Sequence, residues 1–240
     1  MRQAVRIDLN CDLGEGMEDA LILPYITSAN IATGFHAGDH LTMLRCIRLC
    51  RQYGVHIGAH PSFPDRTHFG REEMHLTSEE LYALIAYQVG AMQALCRSQG
   101  CLLRHVKPHG ALYNMSAKDP EIARMIARAL LDIDDKLILF GLAGSISVAI
   151  AREMGLRVME EAFADRAYLS NGQLVPRNQP GAVHSDVKNS LQQARDIAFN
   201  SQVKCIDGTI ITLKADSICL HGDSAGAVAL SELIWNGLKQ

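Results

Sequence analysis

Residues Ser28–Asp39 read SANIATGFHAGD. A short apolar run enters Gly34 and ends at His36 and Asp39, and a helical pattern opens at His40. The order is strand, small-residue turn, helix. Ala29, Ala32, Gly34, Ala37 and Gly38 let backbone and ligand approach closely. A polar pair on such a turn is where α/β proteins place their sites. Taken alone, the stretch reads equally well as a tight turn with Asp39 capping a helix. Its recurrence along the chain is what gives it weight.

Strand-like apolar runs fall at Val5–Leu9, Ala29–Thr33, Val55–Ala59, Leu103–Lys107, Leu137–Phe140, Arg157–Glu161 and Ser217–Leu220. Helical patterns lie at His40–Tyr53, Ser78–Ser98, Pro120–Leu131, Ser145–Met154, Val187–Asn200 and Gly226–Leu238. Thr77 with Glu80 forms a capping-box pattern, and Asp119-Pro120 sets a cap followed by proline at the first helical position. Strands alternating with helices predict parallel βα units. About seven such units in one 240-residue domain, residues 1–240, fit a closed (β/α) barrel better than an open sheet. Residues 163–186 form the one long irregular stretch, with a hairpin expected around Asn171-Gly172 and a lid over the barrel mouth.

The composition, 48% hydrophobic and 20% charged, is that of a chain that buries a sizeable core. A net charge of −3 gives no footprint for nucleic acid or an anionic membrane. No apolar run approaches the ~20 residues of a membrane span. The start MRQAVRIDLNCD carries no signal-peptide pattern, and the seven scattered cysteines include no CxxC pair. Reduced thiols in a cytoplasm are therefore expected. A cysteine nucleophile at Cys11 or Cys219 is the weaker alternative to a buried thiol.

The chemistry lies at the strand ends. In IDLNCDLGEG, Asp8, Asn10 and Asp12 share one face of a strand, opposite Ile7, Leu9 and Cys11, and Glu15 follows between glycines. Carboxylates on an inner face need a ligand, a metal or each other. In VHIGAHPSFPDRTHFGR, His60 sits at the strand's C-terminal end, and Asp65, Arg66 and Arg71 follow on a loop. His56 reads as an interior histidine, and His68 and His75 as solvated. In LRHVKPHGALYN, His105, Lys107 and His109 share a face, with Tyr113 and Asn114 beyond. A lysine on an inner strand face calls for a carboxylate or phosphate partner. SICLHGDSAGAV puts Cys219, His221 and Asp223 in phase, with Gly222 and Gly226 flanking a helix start. There His221, Asp223 and Ser224 are candidates for binding an anionic substrate group, although the Asp223 charge opposes it. Asp8, Asn10, Asp12, His36, His60, Lys107, His109 and His221 are expected around one cavity at the strands' C-terminal ends.

The ordered series IDLNCDLGEG, NIATGFHAGD, GAHPSFPDRTHFGR, VKPHGALYN, EAFADRAY with LVPR, and LHGDSAGAV resembles the motifs of the LamB/YcsF family, the A subunits of 5-oxoprolinases. The resemblance spans Ile7 to Val228. Thr33 replaces an expected cysteine, His40 a proline and Ser224-Ala225 a Thr-Pro, and His68 is atypical. The resemblance implies an irregular seven-stranded (β/α) barrel akin to glycoside hydrolases and deacetylases. It also implies ATP-dependent opening of 5-oxo-L-proline to L-glutamate, together with partner subunits B and C.

No GxxxxGK[ST] loop occurs, so ATP, with its Mg2+, is assigned mainly to the partners. Asp12 or Glu15, helped by His36 or His60, is the candidate water-activating base. Lys107 and His109 are candidates for holding a carboxylate or phosphoryl group. Asp8, Asn10, Asp39, Tyr113, Arg66, Arg71 and Arg166 are further substrate-contact candidates. The alternative is a metal-dependent deacetylase or amidohydrolase acting on a small amide or carbohydrate, with Asp12, His36 and His60 as ligands. A non-catalytic scaffold role is a third reading, opposed by the polar lumen.

Overall fold

A computed structural model describes residues 7–184, 186–220 and 226–239. In chain order the elements begin β1 (Asp8–Leu13), α1 (Asp19–Ile22), β2 (Ser28–Ala32), α2 (His40–Tyr53), β3 (His56–His60) and α3 (Ser78–Ser98). They continue with β4 (Leu103–Val106), α4 (Gly110–Ser116), α5 (Pro120–Ile133), β5 (Ile138–Leu142), α6 (Ile146–Glu153) and β6 (Arg157–Phe163). The last are α7 (Val187–Arg195), β7 (Gln202–Lys204), β8 (Ile210–Thr212), β9 (Ser217–Leu220) and α8 (Ala227–Gly237). Strands β1-β2-β3-β4-β5-β6-β9 close into one barrel, every pair parallel. β7 and β8 form a separate antiparallel hairpin. No helix among the described residues is long and apolar enough to cross a membrane.

The two phases of each strand explain the barrel. Leu9, Cys11 and Leu13 of β1, Ala29 and Ile31 of β2, and Ile57 and Ala59 of β3 are buried outward against the helices. Met43, Cys46, Ile47 and Cys50 meet them from α2, and Ile85, Val89, Met92 and Cys96 from α3. The opposite phase is polar. Asn10 donates to Ser217 Oγ at 2.7 Å, and Asn30 donates to Asn10 Oδ1 at 2.8 Å. His105 Nε2 lies 2.8 Å from Asn30 Oδ1, its ring stacked on Phe140 at 4.2 Å. Gly58 is required here, because a Cβ on it would stand 2.1 Å from His105 Nε2.

The helix starts follow the sequence reading. Asp39 accepts from Thr42 N at 2.8 Å, Thr77 and Glu80 make both bonds of the capping box, and Asp119 accepts from Glu121 N at 2.8 Å. β1 runs past the expected end at Leu9 to Leu13; Val5 and Arg6 of the expected strand lie outside the described residues. Polar Asn10 and Asp12 continue the strand because the lumen supplies their hydrogen-bond partners. The short helices α1 and α4 and the β7–β8 hairpin are additions to the expected map, and a π-helical turn, Asp196–Asn200, ends α7. The expected hairpin at Asn171-Gly172 is present, with Leu169 N bonded to Gln173 O at 2.8 Å and Tyr168 bridged to Leu174.

Candidate active site

The C-terminal ends of the barrel strands open into a cavity of about 690 Å³ whose floor includes Asp12, Glu15, His60, Lys107 and His109. Each group arrives on a different strand or loop, which is how a (β/α) barrel concentrates chemistry. Residues 171–178 line the opposite wall, so the long irregular segment covers the mouth.

Lys107 is 3% exposed. Its Nζ lies 3.0 Å from Asp12 Oδ1 and 2.9 Å from Glu161 Oε1, with Cys219 Sγ at 3.1 Å and Asn10 Oδ1 at 3.3 Å. Burial alone would lower the lysine's pKa. Asp12, Cys219 and Glu161 outweigh that effect and hold it well above its ordinary value. An ammonium has three N–H groups, and four acceptors already surround this one. Lys107 therefore orders two carboxylates, buried Glu161 and the half-buried Asp12. Asn30 donates a further 2.8 Å hydrogen bond to Asp12 Oδ1, which leaves Oδ2 turned toward His60.

Three histidines complete the floor. His36 lies 2.8 Å from Glu15 Oε1 through Nε2 and 2.9 Å from Ser62 Oγ through Nδ1. Burial, reinforced by His60, lowers its pKa to about 3, so the ring is neutral. We assign its hydrogen to Nε2, donating to the Glu15 carboxylate; the one Ser62 hydroxyl hydrogen then lies between His36 Nδ1 and the Phe63 carbonyl, each 2.9 Å from Oγ. His60 donates from Nδ1 to the Lys107 carbonyl at 2.7 Å. Its Nε2 faces Asp12 Oδ2 at 3.3 Å and His109 Nδ1 at 2.9 Å. Burial opposes a charge on His60, but Asp12 and Glu15 overcome it and raise its pKa. His109 donates from Nε2 to the Phe69 carbonyl at 2.8 Å; burial and the two neighbouring histidines push its pKa down. A proton on His60 Nε2 thus has two acceptors, one carboxylate and one neutral imidazole.

Loop packing fixes this geometry. Gly110 has φ +56°, and a Cβ there would stand 2.3 Å from the Gly70 carbonyl, which accepts from Ala111 N at 2.9 Å. The loops carrying His60 and His109 interlock at that point. Buried Gln88 of α3 accepts from Thr33 Oγ1 at 2.7 Å and from Ser62 N at 3.0 Å, and donates to Ser62 O at 2.9 Å. Thr33 thereby ties the His36 loop to the His60 loop.

Residues 7–240 match the LamB/YcsF family. The chain belongs to the LamB/YcsF family. This LamB/YcsF chain is 46% identical over 240 residues to the 5-oxoprolinase A subunit of Geobacillus kaustophilus (strain HTA426), covering 97% of this chain and 93% of that protein. It superposes on the crystal structure of lactam utilization protein from Thermus thermophilus with a TM-score of 0.91 and 41% identity, covering 97% and 95% of the two chains. A GH20 catalytic module of the pneumococcal exo-β-D-N-acetylglucosaminidase shares the barrel fold alone, at TM-score 0.56 and 8% identity over 97% and 85% of the chains.

Other residues singled out in the LamB/YcsF sequence lie at several distances from the cavity. Asp8 is at the far end of the barrel, accepting from Thr27, Ser28 and Ser217 at 2.6–2.7 Å. Asn10 lies one layer below the cavity floor, between Ser217, Asn30 and Lys107. Asp39 is exposed and caps α2. Arg66 clasps the β2–α2 loop through the Gly34 and Gly38 carbonyls, both at 2.9 Å. Arg71, Tyr113 and Arg166 line the cavity. Arg166 also donates to Val175 O at 2.7 Å and Ala182 O at 3.3 Å, bracing the covering segment. His221, Asp223 and Ser224 lie outside the described residues. Among metal-capable groups the structure joins His36, His60 and His109 to Glu15, their ligand atoms all within 4.8 Å of one another. Asp12 approaches this group through His60. Glu161, which pairs with Lys107 beneath the cavity floor, is not legible as a site residue: the apolar run Arg157–Glu161 hides it, and its phase with Phe163, which lines the cavity, is the available signal.

Proposed function

We propose that this chain is the ring-opening subunit of an ATP-dependent 5-oxoprolinase. The observation that carries the reading is Asp12, ion-paired to Lys107 and turned toward His60 on the floor of a closed-barrel cavity. The similarity to a lactam utilization protein and to a 5-oxoprolinase A subunit supports the substrate class. An unstrained five-membered lactam is a poor acylating agent. Phosphorylating its amide oxygen with ATP makes an activated imidate. Water then adds at the ring carbon, the C–N bond breaks to give an acyl phosphate, and a second water releases phosphate and glutamate.

In this reading the Asp12 carboxylate takes the proton of the attacking water, and His60 delivers a proton to the departing ring nitrogen. His109 relays that proton, and His36 holds Glu15 against the cavity floor. Arg71 meets the substrate carboxylate from the cavity wall. ATP and its Mg2+ are bound mainly by partner subunits B and C, since this chain has no phosphate loop. The seven free cysteines suit a reducing cytoplasm.

The test is glutamate formation from 5-oxoproline and ATP, with this chain, with its partners, and with all together. Turnover should need all of them, with little ATP hydrolysis by this chain alone. Robust ATPase activity of the pure chain, or full turnover by the partners without it, would refute the assignment.

A further inference from the structure

His60 and His109 are each fixed from behind by a backbone carbonyl, that of Lys107 at 2.7 Å and that of Phe69 at 2.8 Å. A carbonyl only accepts, so His60 Nδ1 and His109 Nε2 carry hydrogens. In the neutral rings the inward atoms, His60 Nε2 and His109 Nδ1, are lone pairs, and they stand 2.9 Å apart. Two lone pairs held face to face share something positive. Glu15 Oε1 lies 3.4 Å from His109 Nδ1 and 3.8 Å from His60 Nε2, and Asp12 Oδ2 lies 3.3 Å from His60 Nε2.

Bonds of about 2.0–2.1 Å to a tetrahedral ion place neighbouring ligand atoms about 3.3–3.4 Å apart. The observed separations of 2.9–3.8 Å straddle that value. The His60 and His109 rings cross at 85°, and their inward nitrogens approach to 2.9 Å, so one ion can meet both. A far N–H fixed to a carbonyl is the outer support that metal-bound histidines have. His36 is excluded from the same ion. Its ring is stacked on His109 at 3.8 Å with 5° between planes, and lone pairs in parallel planes do not meet at a point. It orients Glu15 instead.

We propose that Glu15, His60 and His109, with Asp12 Oδ2 beside them, bind one divalent first-row transition-metal ion of the zinc class. Two imidazoles and two carboxylates suit zinc, iron, cobalt or manganese. The ion takes the place of the proton the two rings otherwise share, and takes a water from the cavity as a fifth ligand; in the loaded chain that water, and not His60 or His109, supplies the proton to the ring nitrogen. The inference holds whichever amide the site opens.

The full chain, dialysed against EDTA, is titrated with cobalt(II) chloride and followed by visible absorption, then challenged with zinc chloride. One equivalent of cobalt should bind with ligand-field bands, and zinc should displace it. Glu15→Gln and His109→Gln should each weaken cobalt binding more than ~10-fold, beyond the low end expected from losing an outer-shell partner. His36→Gln should weaken it less than either. Wild-type chain that takes up no cobalt would overturn the proposal and leave a shared proton between the rings. Unchanged binding in both ligand variants would overturn it too, and move the ion to the exposed Asp65–His68–Glu72 group. Cobalt binding by a chain that supports no turnover refutes the proposed function alone; turnover by a chain that binds no cobalt refutes this site alone.

Discussion

Lys107 Nζ stands 3.0 Å from Asp12 Oδ1 on the cavity floor, with buried Glu161 on the lysine's other side at 2.9 Å. Lys107→Met leaves both carboxylates without their cation. Removing one partner from a buried pair costs about 3–5 kcal/mol. Urea unfolding of Lys107→Met should show a loss of that order. Adding Glu161→Leu should recover part of it, since the second buried charge then disappears. A Lys107→Met chain as stable as wild type would mean that the ion pair contributes nothing to folding.

Asp12→Asn keeps the shape of the side chain and removes the proposed base. Glutamate formation in the reconstituted system should fall by at least ~100-fold, the low end for general acid–base catalysis. The fall should appear in kcat. Near-normal turnover would transfer the role to Glu15 or a histidine.

Buried neutral histidines set the response to acid. His36 and His105 are both lowered to about 3, by burial first and then by a neighbouring histidine, His60 for one and His56 for the other. Between an ordinary value of about 6.5 and that level the unfolded chain binds protons the folded chain refuses, so stability falls as pH falls. Each ring contributes a slope of about 1.4 kcal/mol per pH unit across this window. His109 acts with the same sign. His60, raised by Asp12 and Glu15 against its burial, acts oppositely: its contribution is complete below the ordinary histidine pKa and is lost as pH rises through its raised value. Urea midpoints at about pH 7, 6 and 5 should therefore decline, and His105→Gln should flatten the decline. A pH-independent midpoint would contradict the neutral buried state of these rings.

Much of this is legible in the chain. Alternation of strand and helix patterns points to the closed barrel, and the starts of α2, α3 and α5 fall where Asp39, Thr77 and Asp119 cap them. The shared phase of Asp12 with Asn10, and the placement of His60, Lys107 and His109 at strand ends, point to the cavity floor. What stays hidden depends on distance across the barrel. Asp8 and Asp12 share a face of β1, yet Asp8 meets Thr27 and Ser217 at the far end, because phase says which side a residue faces and not how deep it lies. Arg66 and Asp39 read as ligand contacts in the sequence, but they satisfy loop carbonyls and a helix N-terminus. The Gln88 clamp cannot be read at all, since a lone glutamine on a helix carries no periodic signal.

The depth of the lumen offers a local test of packing. Gly58 faces His105, and an added Cβ would meet the ring at 2.1 Å. Gly58→Ala should destabilise the barrel by about 1–3 kcal/mol, the range for overpacking a core. The double variant Gly58→Ala, His105→Ala should be more stable than the sum of the two single effects, because each change relieves the other. Additive effects would show that the ring simply rotates away.

Arg166 links the covering segment to the barrel mouth. It is 6% exposed, and its guanidinium donates to Val175 O at 2.7 Å and Ala182 O at 3.3 Å. Burial, with Arg177 nearby, lowers its pKa to about 10, still well above neutral pH, so the charge remains at physiological pH. Two carbonyls of one loop bound to one planar cation hold that loop in a single arrangement, and residues 171–178 of this loop form a cavity wall. Arg166→Met keeps the apolar stem and removes both bonds. The segment should then be cut faster in limited proteolysis, with cleavage mapped to residues 171–178. In the reconstituted system KM for 5-oxoproline should rise while kcat changes less, since the wall moves and the Asp12–His60 floor does not. A fall in kcat with unchanged KM and unchanged proteolysis would place Arg166 in the chemistry instead of the lid.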